Sequence, residues 1–371
     1  MPTREIAERQ GLSFDHLAKV TQFHSRTGYV EASRGRNGGV RLTIPPAEIS
    51  IGEVRAGSGP VPRSCAGNSG ELVALSFPEP TENSLLTLTI RHRTAYRYRQ
   101  PVRLGRHRLM LRPRETRDLR LISVDVAVTP DTNMSWASDV FGNAVATASF
   151  QGEADRLTIE SCVTLDLHAE AWPVFDVAAS AINYPFVYSN DEATDLGPLT
   201  VQQYPDPEGR LATWVRGFVR SHPTDTLSLL KDISQGVAAW VRYEVREDEG
   251  TQAPNATLER RQGSCRDFAV LFVEAARSLG FGARIVSGYL YNRDMDAVGS
   301  AGEGSTHAWA EIYLPGAGWV TFDPTNRSVG GFNLIPVAVA RNIWQTMPVS
   351  GSFTGPADAF EEMAVEVSVT R

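Results

Sequence analysis

Arg261-Gln262-Gly263-Ser264-Cys265-Arg266-Asp267-Phe268-Ala269-Val270-Leu271-Phe272-Val273-Glu274-Ala275-Ala276-Arg277-Ser278-Leu279 is the stretch that decides the fold. Gly263 breaks the chain, Ser264 is a good N-cap, and Asp267 three residues on completes a capping-box-like pair. A helix from Cys265 to Leu279 follows. Steps of three and four from Cys265 fall on Phe268, Ala269, Phe272, Val273, Ala276 and Leu279, so Cys265 heads a buried apolar stripe. Its sulfur sits where free backbone N–H groups and the helix dipole favour an anion. The thiolate is the reactive form of cysteine, and a helix N-terminus lowers a thiol pKa. The helix by itself is equally compatible with an inert buried thiol.

A base has to come from elsewhere. Thr306-His307-Ala308-Trp309-Ala310-Glu311-Ile312-Tyr313-Leu314 alternates as a strand, with His307, Trp309, Glu311 and Tyr313 on one face. Pro315-Gly316-Ala317-Gly318 is a turn, and Trp319-Val320-Thr321-Phe322-Asp323 is the returning strand, ended by Pro324. Closing this hairpin brings Asp323 to within a few residues of the position opposite His307. A strand histidine or a pre-proline aspartate is more often structural than catalytic. Together with Cys265 they supply a nucleophile, a base and an orienting carboxylate in the order Cys, His, Asp. Trp309 and Trp319 are candidates for walls of a cleft and equally good core residues. The run Tyr291 to Thr306 is a lid or a plain surface loop.

Gly263-Ser264-Cys265-Arg266-Asp267-Phe268, Gly280-Phe281-Gly282-Ala283-Arg284-Ile285-Val286-Ser287-Gly288-Tyr289, His307 to Tyr313 and Gly318 to Asn326 together resemble the core of the bacterial transglutaminase-like cysteine protease family. Arg91-His92, Tyr96-Arg97-Tyr98 and Arg108-Leu109-Met110-Leu111-Arg112-Pro113 resemble the β-rich domain found ahead of that core. The resemblance spans about residues 85 to 340. It implies an α+β fold: a papain/transglutaminase-like core, with a Cys-bearing helix on an antiparallel sheet, preceded by a β-rich domain. It also implies that Cys265, His307 and Asp323 take the catalytic roles. The expected reaction is acyl transfer on carboxamide or peptide bonds through a thioester, resolved by water or by an amine. The expected partner is a protein or peptide substrate. No cofactor is called for, and no EF-hand pattern or other metal motif is present.

Outward from this centre, Leu211 to Val219 and Leu227 to Val241 have helical spacing, and Ala283 to Leu290 reads as a strand. Residues 205–340 thus form the expected catalytic core. Residues 85–170 form the β-rich domain, with strands starting at Leu86 and over Leu119 to Val128 and Leu157 to Leu167, and a turn at Phe141-Gly142-Asn143. Residues 341–371 read as a tail. Residues 57–84 are rich in Gly, Pro and Ser and read as a linker. Residues 1–56 give two short helices, Arg4 to Gln10 and Ser13 to His24, then strands Tyr29 to Ser33 and Val40 to Ile44 around an arginine-bearing tip. This order resembles a winged helix of the Rrf2-type regulators over about residues 3 to 55, lacking that family's first helix, dimerisation helix and three-cysteine cluster. By that resemblance Ser13 to His24 enters the major groove, with Arg34, Arg36 and Arg41 on phosphates. A truncated remnant is the favoured alternative, since so small a domain has little stability to spare.

The chain of 371 residues exceeds what one core usually serves. Its 42% hydrophobic and 21% charged residues are those of a globular protein. A net charge of -7 argues against nucleic acid or an anionic membrane as the main partner, leaving DNA only if the winged-helix fragment folds. No run approaches the roughly 20 apolar residues of a membrane span. The opening Met1-Pro2-Thr3-Arg4-Glu5 has no signal core, so a cytoplasmic protein is expected. Cys65, Cys162 and Cys265 are too few and too scattered for a disulfide framework. The competing readings are a DNA-binding regulator and a non-catalytic binding module on the same fold.

Overall fold

Residues 30–33, 39–43, 86–168, 173–246, 250–292 and 304–371 are described in the computed structural model. The chain divides into two units, Met1–Glu82 and Asn83–Arg371. In the first, β1 (Val30–Ser33) and β2 (Gly39–Leu42) pair antiparallel with Val30 opposite Leu42, the hairpin expected from the sequence. The expected helices over 4–10 and 13–24, the hairpin tip and the linker 57–84 lie outside the described residues.

The second unit begins with strands whose alternation tells which face is buried. They are β3 (Leu86–Leu104), β4 (His107–Leu109), β5 (Leu119–Thr129), β6 (Thr132–Ser138), β7 (Ala144–Phe150) and β8 (Ala154–Leu167). Leu88 and Ile90 of β3 lie opposite Leu165 and Val163 of β8, and all four are buried. This period-2 pattern gives each strand one apolar face.

The rest alternates helix and strand: β9 (Asn183–Tyr184), α1 (Asn190–Leu196), α2 (Arg210–Arg216), β10 (Thr224–Asp225), α3 (Thr226–Trp240), β11 (Arg242–Tyr243), α4 (Pro254–Arg260), β12 (Gln262–Gly263), α5 (Cys265–Ser278), β13 (Ala283–Tyr291), β14 (Gly304–Leu314), β15 (Gly318–Asp323), β16 (Ser328–Val329) and β17 (Leu334–Ala340). A five-stranded sheet in the order β16-β15-β14-β13-β17 is antiparallel throughout. Ala308, Ala310, Ile312 and Leu314 of β14 and Val320 and Phe322 of β15 share a core with Phe268, Phe272 and Val273 of α5. Burying one such phenylalanine stabilises by about 1.5–3 kcal/mol.

The stripe of α5 predicted one buried face, and the helix is buried on the other as well, from Asp267 through Arg277. Leu229, Leu230, Ile233 and Val237 of α3 join the same core. The polar residues on α5 become internal anchors. Arg277 donates to Glu274 at 2.7 Å and to the carbonyls of Leu199, Ala283 and Arg341, while Glu274 accepts from the N–H groups of Gln203 and Tyr204. Every lone pair and proton so satisfied reduces the cost of burying the two charges.

The regions 85–170 and 205–340 share a core in which Leu88, Ile90, Val163 and Leu165 meet Tyr289, Ile335 and Val337. Alternation marks which face of a strand is apolar and is silent about what covers it. The last residues, read as a tail, are woven into the sheets. Strands β18 (Val349–Ser350), β19 (Phe353–Thr354) and β20 (Phe360–Thr370) pair with β4, β3 and β3 respectively.

Candidate active site

Cys265 opens α5 directly after β12, and the junction is fixed by a buried carboxylate. Asp267 accepts from the Ser264 N–H at 2.8 Å, the Ser264 hydroxyl at 3.0 Å, the Gln252 N–H at 2.7 Å and the Arg246 guanidinium at 3.0 Å. The capping partner expected from the sequence therefore also ties down the segment carrying Arg246 and Gln252. Gly263 leaves room for this carboxylate, since a Cβ there would lie 2.8 Å from the Asp267 Cβ. Gly263 pairs in parallel with Tyr243 of β11. Cys265 keeps partial exposure at the head of an otherwise enclosed helix.

Strands β14 and β15 present the other two groups, His307 and Asp323. The Tyr313 N–H donates to Gly282, ahead of β13, so alternate amides of β14 point that way and the intervening ones point to β15. β15 is paired with β14 only from Leu314 to Ala310, and Pro324 diverts the chain after Asp323. The Ala308 N–H therefore faces a vacated strand position, and it helps to lower the Cys265 thiol. His307 Nε2 donates to Asp323 Oδ2 at 2.8 Å, and both side chains are buried. Asp323 also accepts from the Asn326 side chain at 2.8 Å and from the N–H groups of Thr325 and Asn326 at 3.0 and 3.3 Å. His307 Nδ1 has no aligned hydrogen-bond partner among the described residues, and the group acting on the ring from its other side is Cys265. Resting catalytic contacts are commonly long or poorly aligned in this way.

The charges reinforce one another. Burial alone would raise the Cys265 thiol. The nearby His307, the Ala308 N–H and the Arg266 guanidinium outweigh it and hold the thiol below its ordinary value. Burial would lower His307, but the charge and hydrogen bond of Asp323, followed by the influence of Cys265, push it up to about 10. Burial would raise Asp323, and His307 and Asn326 hold it below the usual carboxylate range. The arrangement favours a thiolate–imidazolium pair backed by a carboxylate.

Trp309 is a core residue. Its ring lies 6.1 Å from the His307 ring at 24° and packs with Val286, Leu290, Leu334 and Val339. Gly288 stands opposite His307 on β13, where a Cβ would run into the Ile335 carbonyl and approach the Trp309 ring to 2.8 Å. Trp319 lies on the same sheet face, partly exposed, under the Arg284 guanidinium at 4.0 Å. Most of the candidate lid, residues 293–303, lies outside the described residues. Among the described residues, no group of three His, Cys, Asp or Glu side chains could hold a metal ion. No helix there is long and apolar enough to cross a membrane.

Sequence reasoning brought Cys265, His307 and Asp323 forward, and the fold gathers all three. It missed the Ala308 amide and the Asn326 side chain. Asn326 carried a signal, because Asp-Pro-Thr-Asn is turn chemistry in which amides reach back to the aspartate. The amide depends on strand pairing and carried none.

The transglutaminase-like superfamily model matches residues 212–324, a span that holds all three side chains. The bacterial transglutaminase-like N-terminal region model matches 88–166. An uncharacterised protein of Mycobacterium leprae is 24% identical over 281 residues, covering 75% of this chain and 96% of the relative. A solved structure described as a cysteine-protease candidate, from Cytophaga hutchinsonii, superposes with a TM-score of 0.58 at 19% identity, covering 77% of this chain and 91% of that one. That likeness shows a shared fold. At the front, the Rrf2 model for iron-dependent transcriptional regulators matches residues 1–85. The regulator NsrR of Bacillus subtilis is 49% identical over 51 residues, which is 14% of this chain and 35% of the regulator. The matched segment holds a single cysteine, Cys65, and one thiolate does not fit an iron–sulfur cluster.

Proposed function

We propose, from a chain that carries a transglutaminase-like core behind a bacterial transglutaminase-like N-terminal region, that it is a thiol enzyme transferring acyl groups from carboxamide or peptide bonds, with Cys265, His307 and Asp323 as its triad. The observation that carries this reading is the buried His307 held by Asp323 at 2.8 Å, with its other nitrogen turned to a thiol on a helix N-terminus. In the reaction, the Cys265 thiolate attacks the carbonyl carbon and the C=O electrons move onto oxygen. The Cys265 N–H donates to that oxyanion, a contact typically worth about 3 kcal/mol of barrier. As the intermediate collapses, the C–N bond breaks and His307 Nδ1–H protonates the leaving amine or ammonia. Asp323 holds the imidazole in the tautomer that keeps Nδ1 toward sulfur and stabilises its cation. The thioester then passes its acyl group to water or to an amine, with His307 taking the proton.

The test is the iodoacetamide alkylation rate of each cysteine against pH, by peptide mass spectrometry, in the parent and in His307→Ala. Cys265 should react fast at about pH 6, where an ordinary thiol is protonated, and slow by at least about tenfold in the variant. A Cys265 that reacts like Cys162, or a variant without effect, removes the triad and leaves a binding module on this fold.

A second reading rests on the likeness of the front segment to NsrR: residues 1–85 bind DNA and the catalytic region senses or modifies. A gel shift on random duplex that weakens steeply with salt is its expected signature. A salt-independent or absent shift removes it.

A further inference from the structure

The nucleophile lies at the end of a short two-stranded track. β11 and β12 pair in parallel, Arg242 beside Gln262 and Tyr243 beside Gly263, so both run toward Cys265. The start of the track opens on a pocket of about 500 Å³, within the roughly 300–1,000 Å³ usual for a ligand site. Trp240, at the end of α3 ahead of β11, and Arg261, directly ahead of β12, both line it. Chain connectivity bounds its distance from the thiol, because Arg261 and Cys265 are so close in sequence that their Cα atoms lie at most about 14 Å apart. Trp214 of α2, Trp240 and Leu258 of α4 supply the apolar lining. Arg210 at the rim is engaged by Glu208 at 2.9 Å and by Glu259 at 3.7 Å, so these charges answer one another. The Arg261 guanidinium lies over the Trp240 ring, 4.5 Å from its centroid. The walls are held in place. Trp240 Nε1–H donates to the Leu258 carbonyl at 3.0 Å. Asp206 ties α2 to α4, accepting from the Arg210 N–H and the Asn255 side chain, each at 2.9 Å. Trp240 nevertheless stays 41% exposed. A pinned indole that keeps so much surface in water beside a nucleophile is apolar area left for a ligand to cover.

We infer that this pocket is a specificity subsite of the proposed thiol enzyme, taking an aromatic side chain of a peptide substrate about four residues from the carboxamide that Cys265 attacks. An extended peptide of that length covers the span from the pocket to the thiol. The rim carboxylates and Arg210 are already paired, so the pocket selects by its apolar walls rather than by charge. Between two indoles an aromatic ring gains more than the area it buries, since ring edges and faces attract. The pocket lies away from the reacting atoms, so it acts on binding and leaves the reactivity of the thiol alone.

This inference rests on the triad, and alkylating peptides separate the two. Iodoacetyl-Gly-Gly-Gly-Phe-amide loses iodide to the thiolate and carries its ring on one side of the reacting carbon. Acetyl-Phe-Gly-Gly-Gly chloromethyl ketone loses chloride and carries it on the other. Each has a counterpart with Ala in place of Phe. With the full-length protein, at least one Phe reagent should label Cys265 about tenfold faster than its Ala counterpart at low concentration, through tighter binding before alkylation. Trp240→Ala should erase that preference, while plain iodoacetamide reacts within about twofold of the parent rate. If Trp240→Ala also slows iodoacetamide, Thr213→Trp decides, because it fills the pocket from an exposed position of α2 without removing a wall. Loss of the preference there sustains the subsite, and its survival overturns it. Equal labelling by Phe and Ala reagents in the parent, or a preference that survives Trp240→Ala, overturns the inference and spares the triad. A parent chain slow with iodoacetamide overturns the triad and the inference together.

Discussion

Cys265 gains its proposed reactivity from groups on three elements, and each contributes with a sign that can be followed through pH. The thiol lies below its ordinary value because His307, Ala308 and Arg266 outweigh burial. The histidine lies at about 10 because Asp323 and Cys265 outweigh burial. The reactive pair therefore forms as pH rises through the lowered thiol value and is lost when His307 gives up its proton at the alkaline end. Turnover of p-nitrophenyl acetate should show a broad plateau between these limbs. In Asp323→Asn the counter-charge is gone, so His307 is held up less, and the alkaline limb should move down by at least about one pH unit. The plateau rate should fall by orders of magnitude, on the order of 10⁴ where a triad carboxylate is neutralised. An unmoved limb would detach Asp323 from His307. At this scale much was legible. Cys265 announced itself through Gly263, Ser264 and the apolar spacing behind it, and Asp323 through the proline that ends its strand. The Ala308 amide was not legible, because it depends on where β15 stops pairing with β14.

α5 shows what an element adds to its residues. The apolar stripe of α5 left Glu274 and Arg277 off its buried face, and together with Asp267 they are enclosed and satisfied from neighbouring segments. Spacing alone cannot tell a solvated polar face from one covered by α3 and by the segment around Gln203. The difference is large in energy. Exposed pairs such as Arg93 with Glu160 contribute about 0–1 kcal/mol. Glu274→Ala strands the buried Arg277 guanidinium and frees the Gln203 and Tyr204 amides, and should destabilise by roughly 3–5 kcal/mol in urea unfolding. A loss below about 1 kcal/mol would mean that this helix face opens readily to water. Cys265 sits at the far end of α5 from this pair, so alkylation below the unfolding transition should be little changed.

Within Asn83–Arg371 the regions 85–170 and 205–340 are bound by one strand that the sequence did not reveal, β20. Long β3 lies between β8 on one side and β20 on the other, with Ile90 opposite both Val163 and Val369. Val369 is fully buried against Gly304, where a Cβ would lie 2.5 Å from it, at the root of the strand that carries His307. Strand β20 does alternate, with Met363, Val365, Val367 and Val369 on one face, but alternation does not say which strand it pairs with, and Met363 and Val365 stay half-exposed. A chain of residues 83–371 should fold alone and keep its thermal midpoint and Cys265 alkylation rate, since those residues form one unit. A chain ending at Ala359 should lose stability, associate on size-exclusion chromatography through the bared edge of β3, and alkylate more slowly. Full reactivity in that shorter chain would show β20 to be dispensable. The same pairing has a meaning during synthesis. The Thr370 hydroxyl donates to the Thr89 carbonyl, 281 residues away along the chain. While the ribosome is still making residues 205–340, β3 waits with one edge open, so a prematurely terminated product is left with an adhesive strand.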